Sequence, residues 1–334
     1  MPKQLENEDE VLLAVKEFAH SMNSGSKVVA DMSLLVEATS RIKLTKLDAW
    51  ERLIRWEFQK ELDNSTPPKW KIWVKPTPFL TWIDLCSWDG YRREKSIRTL
   101  SGAAPNSFFF ALAIRRLNDW VPEVRKAARE KLIKIATETD PDEVAEVLCV
   151  IFPHWNSWGR MEEAGKKILL DIASLENVAN SLKTRIITST SGPMAFILSQ
   201  MGRVEVLDRF LEEIAKSAIQ PSVRAKAYRS LMENKVTWFD GRKWVWTDIR
   251  YCEGRQQPII CDRNLSIETR FIDNLKNSAV DKSSVVRRVA GELLIKELEV
   301  VGAESKKLAE KLALDPSPSV SERGKFALKQ LETK

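Results

Sequence analysis

The chain has few of the residues that most often perform catalysis or bind metal ions. Only 2 histidines occur in 334 residues, His20 and His154, and they lie far apart in the sequence. Neither stands in a motif for a Ser-His-Asp arrangement or a histidine-based metal site, so we interpret both as surface or capping residues. The cysteines are also sparse, and none belongs to a CxxC pair: Cys86, Cys149, Cys252 and Cys261. We therefore predict no metal ion, and this cysteine usage favours a reducing compartment.

Glycine-rich phosphate-binding loops are also missing. The sequence has 12 glycines and 14 prolines, too few for a turn-rich β protein or a disordered one. It contains no GxxxxGK[ST] motif, and no GxGxxG motif follows a strand, which argues against an enzyme that binds nucleotides through such a loop. No carboxylate stands out as a general acid. The sequence thus favours a binding protein over an enzyme, with no cofactor and no assigned catalytic residue.

Long apolar segments and a basic N-terminus are absent as well. No apolar run reaches the ~20 residues that span a bilayer. The sequence begins MPKQLENEDE, which is acidic where a signal peptide needs a basic stretch. We expect a cytoplasmic protein without a membrane partner.

What the chain does have is charge, arranged in blocks. Lysine and arginine total 53 against 47 aspartates and glutamates, a net charge of +6. Residues 1–40 carry 3 basic and 7 acidic side chains, residues 69–134 carry 14 and 6, and residues 135–180 carry 3 and 9. Different surfaces are therefore expected to meet different partners.

Apolar residues recur every three or four positions over most of the chain, which predicts helices. From residue 79 onward the predicted helices are short and joined by turns of roughly two to five residues, so successive helices should pack antiparallel. A proline-bounded stretch with alternating Trp70, Ile72 and Val74 interrupts the pattern. These features divide the chain into an N-terminal helical cap (1–63), a linker (64–79), a first set of repeats (80–235), an inserted hairpin (236–265) and a second set of repeats (266–334).

A short signature recurs in the array. Asp119 precedes Val124-Arg125 and Ala128 as Asp281 precedes Val286-Arg287 and Ala290. Val286 and Val320 are 34 residues apart, and Val124 and Val223 are 99 apart, which is three units of 33. Val223 and Val286 are 63 apart, which is one unit plus roughly 29 inserted residues. The valine should face the core, the small residue should let two helices approach closely, and the Asp and Arg can pair with each other or with the adjacent unit. Partial copies occur at Tyr91-Arg92 with Cys86 in the Asp place, at Val223-Arg224 with Ala227, and at Asp315 with Val320 and Gly324.

Over residues 80–334 the chain resembles the HEAT-repeat family, including the variant of this repeat in phycobilin lyases. The resemblance rests on the D-x4-V-R-x2-[small] signature, which is complete in two units and partial in three. It implies an all-α, HEAT-like α-solenoid (an α-α superhelix) into which the hairpin is inserted. Proteins of this class offer extended surfaces that bind other molecules. A chromophore-lyase-like role would rest on the repeat class alone.

The insert carries three of the 12 tryptophans. Residues 236–247 read VTWFDGRKWVWT and predict two short strands joined at Asp240-Gly241, a dipeptide that favours tight hairpin turns. Trp244 and Trp246 alternate on one strand face, and with Trp238 they are candidates for an exposed anchor, because aromatic residues are enriched at binding hot spots. Alternatively, the same indoles attach the insert to the repeats. A hairpin of this size is marginally stable alone, so it should lie on the repeats or on a partner.

A second candidate surface lies between residues 92 and 129. Corresponding positions of stacked helices line up, so its cations could form a stripe that attracts a phosphate backbone or an acidic protein. The alternative is a solvated surface in which Arg92 and Arg125 serve the repeat signature. We name this set the basic block: Arg92, Arg93, Lys95, Arg98, Arg115, Arg116, Arg125, Lys126 and Arg129.

Two functions remain open at this point. In the first, the chain is a non-catalytic scaffold that binds a protein partner through the repeat surface and the hairpin. In the second, it binds nucleic acid and resembles the HEAT-like alkylpurine DNA glycosylases, whose concave face is basic and lined with tryptophan. That resemblance implies a site built from Trp82, Trp88, Trp120 and Asp119, although no glycosylase motif is present and the repeat already accounts for the aspartate. A continuous positive groove along residues 92–129 would favour nucleic acid, and a mixed or apolar one would favour protein.

Overall fold

Helices dominate the structure. The computed structural model describes residues 5–23, 31–65 and 80–333. Most of the predicted linker, including Trp70, Ile72 and Val74, lies outside these residues. None of the described helices is long and apolar enough to cross a membrane. The α-helices in these ranges are α1 (Glu8–Asn23), α2 (Ser33–Ser40), α3 (Leu47–Ser65), α4 (Gly90–Thr99), α5 (Ser107–Arg115), α6 (Pro122–Glu138), α7 (Pro141–Ile151), α8 (Glu163–Ala173), α9 (Glu176–Thr188), α10 (Met194–Met201), α11 (Leu211–Ser217), α12 (Pro221–Glu233), α13 (Phe271–Ser278), α14 (Ser284–Lys296), α15 (Leu298–Val301), α16 (Glu304–Ala313) and α17 (Pro318–Glu332).

The first of two compact units, Met1–Val178, is built from two rows of helices. At its start α1 contacts α2 and α3, and Phe18 stacks on Phe58 with ring centroids 6.2 Å apart. Further along, α4, α6 and α8 contact one another in succession, while α5 contacts α3 and α7 in the other row. The buried side chains are those of the helical periodicity, such as Ile54 and Leu132. Helix pairs that stack side by side have this arrangement.

The second unit, Ala179–Lys334, repeats the arrangement. Helices α11 and α12, α13 and α14, and α16 and α17 form contacting pairs, and the second helices α12, α14 and α17 contact one another in a row. The small residues of the signature are buried where the helices meet. Ala227 and Ala290 are fully buried, and a Cβ on Gly324 would overlap the backbone of α16 at Ala313. The predicted fold class is confirmed: each unit is an all-α stack of helix pairs, and a β-hairpin is inserted in the second.

The Asp and Arg of the signature link each repeat to the next. In the second unit, Arg224 Nη1 donates to two carbonyl oxygens of its own turn at 2.8 and 3.0 Å, and its Nε and Nη2 donate to the two carboxylate oxygens of Asp281, each at 2.8 Å. Arg287 binds the carbonyl oxygen of Asp281 and the carboxylate of Asp315 in the same way. We call this contact the arginine clamp. It joins the backbone of one turn to the carboxylate of the next repeat.

The clamp corrects the phase of the first repeat. Arg93, not Arg92, binds both carboxylate oxygens of Asp119, at 2.8 and 2.6 Å, and donates to two carbonyl oxygens of its own turn. Ser87 therefore stands in the Asp place, where the signature predicted Cys86. The prediction missed by one residue because an arginine fills the Val position and a serine fills the Asp position, which removes two of the three diagnostic residues.

The insert forms strands β1 (Lys235–Asp248) and β2 (Glu253–Asn264), paired antiparallel. The predicted turn at Asp240-Gly241 is wrong, because the chain reverses at residues 249–252. Asp240 is instead a β-bulge with no partner in β2, and Gly241 has a φ of +122° beside it. Bulges and tight turns both favour residues that tolerate positive φ, so the local sequence did not distinguish them.

The bulge also changes which tryptophans share a face. Trp238 lies opposite Cys261 and Trp244 lies opposite Gln256. The two partners are an odd number of residues apart on β2, so the two indoles lie on opposite faces of the hairpin. Trp244 and Trp246 share one face and meet edge to face, with centroids 5.6 Å apart. The structure thus separates Trp238 from the predicted set of three.

Candidate binding sites

The basic block is not a continuous positive stripe. Lys95 and Lys126 are exposed and have no carboxylate partner among the described residues, but the other members carry ion pairs. Arg98, for example, binds Glu94 and Glu130 at 2.8 and 2.6 Å. The charge along residues 92–129 is therefore mixed. The ion-paired members are Arg92, Arg93, Arg98, Arg115, Arg116, Arg125 and Arg129.

Part of the basic block lines a cleft in the first unit, together with residues that the sequence did not single out. The cleft has a volume of about 590 Å³ and is lined by the turns that precede α4 and α6 and by α3. We call it the arginine–tryptophan cleft. Its charged and aromatic lining consists of Arg52, Arg55, Arg93, Arg115, Arg116, Arg160, Asp48, Glu51, Asp119, Trp88 and Trp120.

The floor of the cleft is a buried ion-pair network. Glu51 of α3 pairs with Arg115 and Arg116, each at 2.7 Å, and Arg116 also binds Asp119 at 3.0 Å. Burial alone would raise the pKa of Asp119, but the hydrogen bonds from Arg93 and the charge of Arg116 hold that pKa below its usual value. Burial and the neighbouring Arg116 lower the pKa of Arg115 to about 10. The network favours the ionised form of Asp119 and fixes the guanidinium groups in place.

The rim of the cleft carries Trp88 and Trp120 at equivalent positions of successive repeats. Each follows the first residue of its clamp turn, and they are 64% and 76% exposed. The guanidinium of Arg55 lies 4.5 Å from the ring centroid of Trp88, and that of Arg160 lies 3.3 Å from the ring centroid of Trp120. A Cβ on Gly90 would overlap the second turn, so this glycine lets the two turns pack closely. The fold therefore holds two exposed indoles on neighbouring turns.

The residues considered for a glycosylase-like site come together only in part. Trp88 and Trp120 line the cleft, whereas Trp82 is 7% exposed and does not. The oxygens of Asp119 accept hydrogen bonds from two arginines and from the backbone N–H of Val121. This carboxylate serves the clamp, which is the role that the repeat signature assigned to it.

None of the two histidines and four cysteines lines the cleft, although the backbone carbonyl of Cys86 accepts a hydrogen bond from Arg55 of the lining. His20 lies 3.3 Å from a carboxylate oxygen of Glu61, and His154 is exposed. Cys86 is fully buried, which raises the pKa of its thiol. Cys252 is exposed in the hairpin turn. Within the described ranges, no three His, Cys, Asp or Glu side chains come together as the ligands of a metal ion would.

The half of the hairpin next to the helices is firmly attached to the second unit. Arg263 binds both carboxylate oxygens of Asp208 at 2.8 Å. The amide of Gln200 donates to the backbone of β1 at 2.9 Å, and Lys226 Nζ donates to the carbonyl and hydroxyl oxygens of Thr237 at 2.7 and 2.8 Å. Burial lowers the pKa of Lys226 to about 8. Trp238 lies in this half and is half-buried, so it belongs with the attachment.

The other half of the hairpin, residues 242–258, is mostly exposed on both faces, and we call it the distal ribbon. Trp244 and Trp246 are 51% and 52% exposed, and Ile249 and Tyr251 in the turn are exposed further. The ring of Trp244 packs over Gly254, where a Cβ would overlap it. The ribbon also carries four cations and two carboxylates: Arg242, Lys243, Arg250, Arg255, Asp248 and Glu253.

Comparison with known proteins adds little to this picture. No protein-family model matches the chain, and no curated protein matches it. Among solved structures, a designed armadillo repeat protein, YIII(Dq)4CqI, matches over 75% of this chain and 98% of its own, with 15% sequence identity and a TM-score of 0.24. At that TM-score we draw nothing from the match. The helical-repeat fold rests on the helix pairs and the arginine clamps.

Proposed function

We propose that the protein is a HEAT-type interaction scaffold that binds a protein partner, with the distal ribbon as the main contact element. The observation that carries the proposal is the Trp244–Trp246 pair, held edge to face and half exposed on a ribbon that is open on both sides. The HEAT assignment is supported by the arginine clamps, which recur at the predicted Arg125, Arg224 and Arg287 and one residue past the predicted position in the first repeat. The scattered cysteines favour a cytoplasmic protein, and we propose the division into cap, linker, repeats and insert that the sequence suggests.

The indole pair has the properties of a binding anchor. Trp244 packs on Gly254 and against Trp246, so both rings are already fixed before a partner arrives. A pre-ordered aromatic side chain loses little conformational entropy on binding, and tryptophan is among the residues most enriched at hot spots. Burial of the exposed indole surface would then contribute directly to affinity.

The composition of the ribbon indicates what kind of partner surface fits it. Its cations outnumber its carboxylates four to two, and Asp248 is already paired with Arg250 at 3.0 Å. A two-stranded ribbon also has two edges whose backbone groups can pair with an added strand. We therefore expect a partner with an apolar centre and an acidic rim, docked on the indole face or along one edge. The mixed charge of the basic block agrees with protein binding on that surface as well.

The proposal is tested by comparing the partners of matched variants of the full chain. Tagged wild-type protein, a Trp244→Ala/Trp246→Ala double variant and a Trp56→Ala control are expressed in the native host, cross-linked and purified under identical conditions. Trp56 is 58% exposed on α3, so its removal deletes a similar indole far from the hairpin in sequence. We expect at least one partner to be retained by the control and lost, roughly tenfold or more, by the double variant.

A photo-reactive amino acid at Lys243 then shows whether that partner touches the ribbon directly. A cross-link from this position supports the proposal. An identical set of partners for all three proteins, with circular dichroism showing that each is folded, contradicts it.

A further inference from the structure

The arginine–tryptophan cleft has the composition of an anion site with stacking surfaces, and it does not include the distal ribbon, the main contact element of the proposed scaffold. Six arginines face three carboxylates across its lining, an excess of three positive charges. Its volume of about 590 Å³ falls within the roughly 300–1,000 Å³ of small-ligand sites. The basic block as a whole is largely neutralised by ion pairs, so this excess is a local property of the cleft.

The positive charge is available at two places. Four of the six arginines are tied to carboxylates of the network, but Arg52 and Arg160 have no carboxylate partner among the residues that the structure describes. Arg52 donates from Nε to the carbonyl oxygen of Asp48, which leaves its terminal nitrogens for another acceptor. The guanidinium carbon of Arg160 lies over the Trp120 ring, 3.3 Å from its centroid, and this contact does not use the hydrogen-bond donors of the guanidinium. Guanidinium groups held in this way bind phosphate oxygens through paired hydrogen bonds.

The aromatic surface is equally specific. Trp88 and Trp120 occupy the same position in two successive repeats, and the arginine clamps fix the backbone of both turns, because Arg93 and Arg125 donate to the carbonyl oxygens of those tryptophans. One face of each indole meets an arginine, and most of each side chain is still exposed. Neighbouring helices in a stack lie about 8–10 Å apart, so the two rings form separate platforms rather than a single one.

We propose that the arginine–tryptophan cleft binds a nucleotide unit, with its phosphate on Arg52 and Arg160 and its base stacked on Trp88 or Trp120. A carboxylate ligand would use the arginines but leave the indoles without a partner, and an apolar ligand would leave the cations unpaired. A phosphate joined to a flat heterocycle satisfies both. The same chemistry occurs in a free nucleotide and in single-stranded nucleic acid, and two platforms on successive repeats favour the strand.

Binding is measured on the full chain with two probes. Fluorescence anisotropy follows a labelled twelve-nucleotide thymidine strand, and calorimetry follows adenosine triphosphate. Binding of the strand alone identifies a strand site, and binding of the nucleotide with competition against the strand identifies a nucleotide site. Both results support the proposal.

Five variants, two of them controls outside the cleft, connect binding to the cleft. Trp120→Ala and Arg160→Ala should each weaken binding of the strand by about tenfold, as expected for loss of one stacking platform or one phosphate contact. Arg160→Ala should also reduce the slope of log K against log salt concentration by about one unit. Trp56→Ala and Arg270→Ala remove an exposed indole and an exposed arginine outside the cleft and should change binding less than twofold. Trp120→Phe should restore most of the affinity, which separates stacking from a folding defect.

Three results would overturn the proposal. The first is that neither probe binds at low salt. The second is that the cleft variants and the controls bind alike. The third is that a glutamate peptide of equal charge competes as well as the strand, because charge alone would then explain the binding. None of these outcomes bears on the distal ribbon, so the scaffold proposal stands or fails separately.

Discussion

Removal of one arginine clamp tests whether the joints between repeats carry a large part of the stability. The side chain of Arg224 is 2% exposed and makes four hydrogen bonds, two of them to the carboxylate of Asp281. In Arg224→Met the apolar stem remains while the guanidinium is lost, which leaves a carboxylate that is only 10% exposed without its counter-charge. Removing one partner of a buried ion pair costs about 3–5 kcal/mol. Because Asp281 keeps the hydrogen bond from the Ser283 N–H, we expect the lower end, about 3 kcal/mol.

The measurement is urea unfolding of the full chain, with hydrogen exchange to locate the loss in the second unit. Arg288→Ala is the matched control: its side chain is 47% exposed and lies 3.7 Å from Glu292, so the variant should lose less than about 1 kcal/mol. A double variant, Arg224→Met/Asp281→Asn, keeps an acceptor for the Ser283 N–H but has no unpaired charge. It should be more stable than Arg224→Met alone.

Two results would refute this reasoning. One is that Arg224→Met destabilises the chain no more than Arg288→Ala does. The other is that the double variant loses as much unfolding free energy as Arg224→Met and Asp281→Asn lose in sum when each is measured alone. This would mean that the two side chains do not interact. Either result would mean that the clamp contributes little to the stability of the repeat stack.

Packing and pH provide the remaining predictions. Gly324→Ala should destabilise the second unit by about 1–3 kcal/mol in thermal or urea unfolding, because the new Cβ would overlap the α16 backbone at Ala313; wild-type stability would contradict the close approach. The hydrogen bonds from Arg287 hold the pKa of Asp315 below its usual value, and Asp281 is shifted in the same direction by Arg224 despite the burial that opposes it. A lowered folded pKa means that the stabilisation is fully present above the unfolded pKa of about 3.9 and is lost as the pH falls through the folded value. Unfolding free energy should therefore change little from these groups between pH 5 and 8 and drop below about pH 4, and Asp315→Asn should show a smaller drop; an equal drop in the variant would contradict the assignment.

The repeat fold could be predicted because its determinants are local. Helical periodicity, proline at the first position of α6, α12 and α17, and the buried small residues each act within one or two turns. The clamp joins the Arg of one repeat to the Asp of the next, and both residues belong to the signature, so the sequence contained both of its parts. The predicted position of the signature was wrong only in the first repeat, where Ser87 stands in place of the Asp and Arg92 in place of the Val.

The arginine–tryptophan cleft could not be predicted from the sequence, for a physical reason. The cleft depends on contacts between distant segments, above all between Arg116 and Glu51, and nothing near either residue indicates the other. Arg52 and Arg160 look like ordinary surface cations in the sequence, and only the fold brings them into the lining of one cleft with the indoles. The prediction of the hairpin turn was wrong for a different reason. Asp240-Gly241 can form either a tight turn or a β-bulge, and only the extent of pairing between β1 and β2 decides between them.

The position of the Arg224–Asp281 clamp affects how the repeats accommodate the insert. The two residues flank both the hairpin and α13, so the clamp joins α12 to the turn before α14 across the insertion. Closing a longer loop adds only a slowly growing entropic cost, and a fixed ion pair at the base offsets it. The clamp therefore helps to keep the helix pairs on either side in register independently of the distal ribbon inserted between them. We therefore expect that the distal ribbon can be lengthened, shortened or exchanged without disturbing the stack, provided that the contacts of the attached half with Asp208, Gln200 and Lys226 are kept.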